Sequence, residues 1–578
     1  MRLAKTLQCP LFFAALMASV ASPALAQSAS PAAAEALEAG REAAVDALFS
    51  SIGAGDPGAA LGVYSKGKLV YAKGYGIADM EDGRPITPQT QFHVASVSKE
   101  FAAFAIALLA RDGKVDLNAD IRRYLPYVPD FGEVITVNHL IHHTSGLRDQ
   151  WSLFVLGGQD MDNRLRQKQV VNMVSRQRAL NFKPGSEYTY SNTGYTLLAE
   201  IVHAVSGQTL RQFTEERIFK PLGMSKTFFF DDVDEIVPGR AQSYNRENPD
   251  KPWKRELLNY DNAGATSLFT TVEDLAKWAG NFTNPVVGDR ALIDQVTTNG
   301  TLSDGKPITY GFALQRTKIG GREVITHSGA DAGFRAIFVY YPGQDFAVAI
   351  TANTPFDAAG KNFGLDLTAR VAAIADLYLP KVPAPAVPAI DKKPNPAPLA
   401  GTYFNQYAHT LKLEARTDGL YLDGGYGKPT KMTQRANGSF DSGPPVRSYF
   451  TTVKGANGTI TAIEQVSPDE SRVTRFDRIT LATPSAAALA DYAGNYYSDE
   501  LDATYTIAVE GDHLSVRSIW MPDPVSLKAV VADRFESPSW TLGAVAFDRD
   551  AQGKVSGLKI HAGRVRHVAL RRLNGPLP

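Results

Sequence analysis

Apolar residues recur at Phe101, Phe104, Ala105, Leu108 and Leu109, the i, i+3, i+4, i+7, i+8 spacing of one helix face, and Gly113 ends the run. Two further helices are predicted over 195–205 and 271–282. The second opens on Thr271-Val272-Glu273-Asp274, in the manner of a capping box. Alternation over 63–75 around Ser65-Lys66-Gly67-Lys68 predicts a hairpin. Strand patterns return at 324–326 and 338–351, and a helix is predicted over 365–379. Strands at both ends enclosing helices predict an α/β (α+β) domain over residues 35–379, whose sheet joins distant parts of the chain.

Beyond it the pattern changes. Residues 380–398 hold seven prolines in nineteen positions, the composition of an extended, semi-rigid linker. Short alternating strands with Gly and Asp turns follow, and they repeat. Ala400-Gly401-Thr402-Tyr403 recurs 93 residues on as Ala493-Gly494-Asn495-Tyr496. Gly458-Thr459-Ile460 recurs as Gly553-Lys554-Val555, and Arg472-Val473 as Arg564-Val565. Three echoes in order define two homologous β-modules, 399–482 and 487–578, each of a size suited to a small closed antiparallel barrel.

Composition narrows the function. The 578 residues carry 60 Lys+Arg against 60 Asp+Glu, which gives no electrostatic footprint for nucleic acid or anionic lipid. A share of 44% hydrophobic and 21% charged residues is that of a globular protein. The single cysteine, Cys9, excludes disulfide frameworks, thiolate metal sites and cysteine nucleophiles downstream. Residues 1–26 have the form of a secretory signal peptide: Arg2 and Lys5, then an apolar run from Leu11 to Val20, then Ala24-Leu25-Ala26. No later segment is long and apolar enough to span a bilayer. The expected protein is exported, periplasmic or secreted, with no membrane span; its oligomeric state, homo-oligomers included, is left open.

Ser96 and Lys99 stand three apart at the head of the Phe101 helix, so an amine and a hydroxyl share one helix face. A partly desolvated lysine can be neutral enough to act as the base for such a serine, and the helix start offers backbone N–H groups to an oxyanion. The same spacing at Ser65/Lys68 and Ser303/Lys306 falls in turn-like contexts and reads as solvated loop. Tyr190-Ser191-Asn192 presents a phenol and an amide from a loop before a helix. His327-Ser328-Gly329 follows a strand, where the glycine would let a substrate backbone lie against the edge. Tyr260-Asp261-Asn262, Tyr403-Phe404-Asn405 and His561-Ala562-Gly563 repeat these patterns and read as loops and barrel strands. His139, His142 and His143 have no cysteine or nearby acid to complete a metal site and read as solvated or helix-capping. No metal and no cofactor is expected.

The ordered set Ser96-Val97-Ser98-Lys99, Tyr190-Ser191-Asn192 and His327-Ser328-Gly329 resembles the penicillin-recognising serine hydrolases, the serine β-lactamase/D,D-peptidase family. Gly67-Lys68-Leu69-Val70-Tyr71, His143-Thr144-Ser145-Gly146-Leu147 and Ala263-Gly264 support the resemblance, which covers roughly residues 35–378. The two modules after the linker resemble the three-domain layout of bacterial D-aminopeptidases. The resemblance implies a β-lactamase/D,D-peptidase-like catalytic domain followed by two lipocalin-like barrels. It also implies Ser96 as nucleophile, with Lys99 and Tyr190 sharing the proton transfers and Asn192 orienting the substrate amide. His327 would assist electrostatically or by hydrogen bonding, and the N–H groups of Ser96 and Ala330 would form the oxyanion hole beside Ser328 and Gly329. The expected function is an exported serine hydrolase working through an acyl-enzyme on small amide, ester or short-peptide substrates, D-aminopeptidase-like by preference. D,D-carboxypeptidase, carboxylesterase, weak β-lactamase and a non-catalytic penicillin- or cell-wall-binding protein are the alternatives. One module is expected to dock over the cleft through the segment 518–538, with Asp523 facing a substrate amine.

Overall fold

Six antiparallel strands build the central sheet: β1 (Ala59–Ser65), β2 (Lys68–Tyr75), β3 (Gln315–Ile319), β4 (Arg322–Asp331), β5 (Phe334–Tyr341) and β6 (Phe346–Ala352). Their order is β3-β4-β5-β6-β1-β2, so β1 closes against β6 with Leu61 opposite Ile350, and the sheet joins the two ends of the domain as the pattern implies. The computed structural model describes residues 31–355, 363–383, 387–407, 410–424, 428–443, 448–466, 473–521, 523–539 and 541–575. The proposed signal peptide lies outside them. The chain divides into two units, Met1–Ala47, with the helix Pro31–Ala47, and Leu48–Pro578, which holds everything discussed below.

β6 is buried along its whole length because both sheet faces are covered. On one face Phe282 of the helix Val272–Thr283 meets Phe338 and Tyr340; on the other Tyr378 of the helix Phe363–Tyr378 meets Phe346. The helix Ser98–Arg111 is buried on every side from Ser98 to Leu109, not along one stripe, because the helices Asn192–Ser206, Leu210–Thr214 and Arg290–Val296 surround it. The start of Val272–Thr283 is capped by half of the expected box. Thr271 Oγ1 accepts from Asp274 N at 3.1 Å, but the Asp274 carboxylate turns away to Lys226 N and Thr227 Oγ1. Among the described residues no helix is long and apolar enough to cross a membrane.

Residues Gly401–Ile479 and Gly494–Arg572 each close into an eight-stranded antiparallel barrel. The sequence echo has a common structural cause. Tyr403 and Tyr496 each donate to the carbonyl four residues back, Leu399 and Tyr492. Gly401 and Gly494 each lie under an arginine, Arg478 and Arg572, where a Cβ would sit 2.8 and 3.1 Å from the guanidinium Nε. From residue 387 onward the proline-rich stretch is no free tether. Ala436 N donates to Ala389 O, Asp391 N to Gln434 O and Arg435 Nη1 to Pro388 O, strapping it along the first barrel.

The second barrel packs into the domain built on the six-stranded sheet, and one apolar cluster runs from Leu153 and Leu156 through Tyr505, Leu501 and Val565. At the centre of the contact Arg148, fully buried, pairs with Glu500 at 3.0 Å and donates to the carbonyls of Ala179, Arg566 and His567.

Candidate active site

Ser96 lies in a 3₁₀ turn, Ala95–Val97, that runs straight into the helix Ser98–Arg111. Ala95 takes φ +49°, a left-handed conformation held in place by Ser98 Oγ, which donates to Ala95 O and accepts from Leu268 N. β3 covers β4 only as far as Thr326, so His327–Asp331 present an open edge toward this turn. Gly329 meets a different need from the one read in the sequence. A Cβ there would sit 2.2 Å from Val94 O and 3.0 Å from Ser96 N, so the glycine lets β4 press against the serine turn itself. Ser328 and Ala330, on the other side of the strand, are exposed.

Lys99, fully buried, donates to Ser96 Oγ at 3.0 Å, Asn192 Oδ1 at 2.9 Å and Ala265 O at 2.5 Å. Burial, assisted by the positive charge of Arg564 and opposed by Asp149 and Asp331, brings its amine down to about 7. Asn192 is the first residue of the helix Asn192–Ser206, not part of the preceding loop. Its backbone N and Nδ2 donate to Asp149 Oδ2 at 2.7 and 2.8 Å, so both ends of its amide are engaged before any substrate binds.

Tyr190 hydrogen-bonds Ser96, and burial holds its phenol well above the ordinary range. Its ring lies 4.9 Å from Lys99 Nζ and 4.2 Å from the ring of His143. His143 is neither solvated nor a cap. It is buried among Tyr190, Tyr195 and Tyr310 and accepts from Ser191 N through Nδ1, which fixes the loop carrying Tyr190. His139 caps its helix with Thr136, as expected, and half-buried His142 contacts Tyr310 O. Among the described residues no group of three His, Cys, Asp or Glu side chains is placed to hold a metal.

His327 is buried, its Nδ1 2.6 Å from Ser328 O and its Nε2 2.9 Å from Tyr310 Oη. Burial and the nearby Lys99 push it down to about 3. The imidazole is therefore neutral at physiological pH, with Nδ1–H donating to Ser328 O and Nε2 accepting from Tyr310. Of the two roles expected for it, only hydrogen bonding fits this environment.

The second barrel enters the site, but not through 518–538. Trp520 of that segment packs on Gly158, and Asp523 is exposed; Pro522 and Trp540 fall outside the described residues. The entering element is the turn between the strands Val555–Ala562 and Val565–Arg572, at the His561-Ala562-Gly563 stretch read as plain barrel. Gly563, at φ +55°, lies against Ser152, and the Arg564 guanidinium carbon sits 4.8 Å from the centre of the Tyr190 ring. Of the other two Tyr-x-Asn look-alikes, only Asn405 lines a cleft that leads to Tyr190. Asn262 bonds Gln150 and Thr196, and Tyr403 belongs to the first barrel's core.

The structure thus brings Ser96, Lys99, Tyr190, Asn192 and the His327–Ala330 edge together around one serine hydroxyl. Sequence reasoning missed Asp149, Ala265, Tyr310 and Arg564. Asp149 follows the quoted 143–147 stretch by two residues, and Ala265 follows Ala263-Gly264 directly; nothing in the sequence marks Tyr310 or Arg564.

Comparison with known proteins gives the same outline. The model of the Beta-lactamase family matches residues 45–373. A D-aminopeptidase of Gluconobacter oxydans is 25% identical over 554 residues, covering 92% of this chain and 98% of that protein. One of Brucella anthropi is 26% identical over 539 residues, 89% and 95% of the two chains. Among solved structures, the octameric penicillin-binding protein homologue from Pyrococcus abyssi aligns over 84% of this chain and 99% of its own, with TM-score 0.51 and 20% identity. SurE aligns over 77% and 100%, with TM-score 0.54 and 23% identity.

Proposed function

The chain belongs to the beta-lactamase family, and from that premise we propose that this serine hydrolase cleaves amide bonds following D-amino-acid residues in small peptides and amides. The observation that carries the reading is the contact between Lys99 Nζ and Ser96 Oγ, 3.0 Å, with the amine brought to about 7. In its neutral form Lys99 keeps its N–H bonds to Asn192 Oδ1 and Ala265 O and accepts from the Ser96 hydroxyl, which makes it a base at neutral pH, whereas the Tyr190 phenol stays protonated.

In this mechanism Ser96 Oγ attacks the carbonyl carbon and its proton passes to Lys99 Nζ. The N–H groups of Ser96 and Ala330 hold the oxyanion. The C–N bond breaks as Tyr190 gives its proton to the leaving nitrogen, and Lys99 reprotonates the phenol. Water then attacks the Ser96 ester through the same groups, releasing the acid and restoring the hydroxyl. His327 holds Tyr310 and the β4 edge. The D-amino-acid preference is supported by the two D-aminopeptidases, which match along nearly their whole length. The leader-like residues 1–26 support export to the periplasm or medium, checked by the N-terminal sequence of the mature protein.

The test is a panel of D- and L-alanine p-nitroanilides, short esters and a cephalosporin. Turnover of the D-anilide, a single fluorophosphonate adduct on the Ser96 peptide and loss of both in Ser96→Ala are expected. One acylation without turnover would make the protein a binder, and an adduct on Ser65 or Ser303 would reassign the nucleophile.

A further inference from the structure

We propose that the first barrel has a positioning part in catalysis: Tyr407 fixes Arg566 of the second barrel, and Arg566 fixes Glu187 and with it the loop that carries Tyr190. The inference rests on the proposed role of Tyr190 as proton donor to the leaving nitrogen, and it names what holds that donor in place.

All three domains meet at a cleft of about 1130 Å³ that leads to Tyr190, and its wall includes Glu187, Arg566 and Tyr407, one residue from each domain. The Tyr190 loop is tied to the catalytic domain on either side of Glu187. Gly185 N donates to Thr144 O at 2.7 Å, and Thr189 N donates to His143 O at 3.0 Å. Between these ties the Glu187 carboxylate accepts from Arg566 Nη1 at 2.9 Å. Tyr188, next in the chain, sets its ring 6.0 Å from that of His143 and 5.9 Å from that of Tyr310. His143 in turn lies 4.2 Å from the Tyr190 ring and binds Ser191 N. A shift at Glu187 therefore passes through Tyr188 and His143 to the phenol.

An ion pair with an exposed partner is weak by itself, and the Glu187 side chain is 47% exposed. The seat of the arginine makes this one rigid. Arg566 N donates to Asn181 Oδ1 at 2.7 Å, and Arg566 O accepts from Arg148 Nε at 2.9 Å. The guanidinium carbon lies 4.5 Å from the centre of the Tyr407 ring and 6.0 Å from that of Phe182. A guanidinium laid on an aromatic face keeps the N–H groups of its edge for a carboxylate, and the stacking removes rotamer freedom that the pair would otherwise have to freeze. Tyr407 is seated as well. Its ring lies 5.4 and 5.2 Å from those of His561 and His567, and Thr410 donates to Glu536 through N and Oγ1 at 2.9 and 2.6 Å. The first barrel thus reaches the Tyr190 loop through the second.

A misplaced proton donor has its own signature. An anilide nitrogen leaves only with a proton, whereas fluoride leaves a fluorophosphonate as an anion and asks only for the Lys99 base. The experiment compares kcat/KM for D-Ala p-nitroanilide with the rate constant of fluorophosphonate labelling at Ser96. Tyr190→Phe, the reference, should slow the anilide by about 10²–10⁴-fold and labelling far less. Glu187→Ala, Arg566→Ala and Tyr407→Ala should each slow the anilide by about 3- to 10-fold, with labelling within about twofold of the wild type. Tyr407→Phe keeps the ring and should keep the rate. Tyr407→Ala combined with Glu187→Ala should cost no more than the larger single loss, because both act through Arg566. An unchanged anilide rate in Tyr407→Ala, equal losses in both readouts, or additive losses in the double variant overturn the proposal. If Arg566→Ala melts early, the Tyr407 and Glu187 variants decide. A selective loss in Tyr190→Phe with none in Tyr407→Ala removes the first barrel's part alone. Wild-type anilide turnover in Tyr190→Phe removes the proton-donor role and the positioning part with it.

Discussion

The Asp149 carboxylate accepts both the backbone N–H and the side-chain amide N–H of Asn192 on one oxygen, at 2.7 and 2.8 Å. This fixes which way the Asn192 amide faces: Nδ2 toward Asp149, Oδ1 toward Lys99. With Ala265 O, it aims the amine at Ser96. In the proposed mechanism Asp149 is a positioning residue. Asp149→Asn should cost about 10²-fold in kcat, because a misaimed base loses its near-attack geometry. Asp149 also raises the Lys99 value, so its neutralisation should move the acid limb of the pH–rate profile to lower pH. A variant with lowered kcat but an unmoved limb would leave Asp149 with a purely structural part.

The pH dependence follows from Lys99. In the proposed mechanism its neutral form is the base, and burial brings the amine down to about 7, so kcat/KM should rise with pH through that value and level off above it. His327, near 3, and Tyr190, held well above its ordinary value, add no ionisation near neutrality. Arg564 depresses Lys99, so Arg564→Gln should shift the limb upward, opposite to Asp149→Asn. Profiles of kcat/KM for a short ester that carries no ionisable group measure both shifts, and movement in the same direction would contradict the electrostatic assignment.

The catalytic elements were legible because their signals are local. The helix from Ser98, the hairpin around Gly67 and the Ser96/Lys99 spacing depend on neighbours within a turn or two. The repeat of Tyr403 and Tyr496 likewise announced two barrels, since each tyrosine bonds a carbonyl four residues back. The contacts that complete the site are not local. Arg148 meets Glu500 and Arg564 meets Tyr190 across more than 300 residues, through turns whose composition matches any other barrel turn. Gly329 shows the same limit from another side. The residue type was right, but the reason for it, the backbone at Val94 and Ser96, lies in a distant segment.

Because His327 is neutral and links Ser328 O to Tyr310, its contribution should follow hydrogen bonding, not charge. His327→Gln, which can still bridge, should cost about tenfold or less in kcat/KM. His327→Ala breaks the bridge between Ser328 O and Tyr310, whose hydroxyl keeps only Tyr195, and should cost about 10- to 100-fold. Lys99→Ala should exceed both, at about 10²–10⁴-fold. A rate that grew on protonation of His327 at mildly acidic pH would return the residue to an electrostatic role.

The Arg148–Glu500 pair decides how the second barrel is held. Arg148 is fully buried and Glu500 nearly so, and the guanidinium also binds the carbonyls of Arg566 and His567, two and three residues beyond Arg564. Burial disfavours charge on both partners, raising Glu500 and lowering Arg148, so each depends on the other. Glu500→Gln strands a buried cation and should cost about 3–5 kcal/mol of stability, seen as a lowered melting temperature. The same variant should loosen the turn at Gly563–Arg564, because Arg148 anchors the strand that follows it. The acid limb of the pH–rate profile should then move upward as the melting temperature falls, because a displaced Arg564 no longer depresses Lys99. Glu500→Gln with wild-type melting would show that the barrel is held by its apolar contacts alone. Lowered melting with an unmoved limb would separate the barrel's attachment from the placing of Arg564.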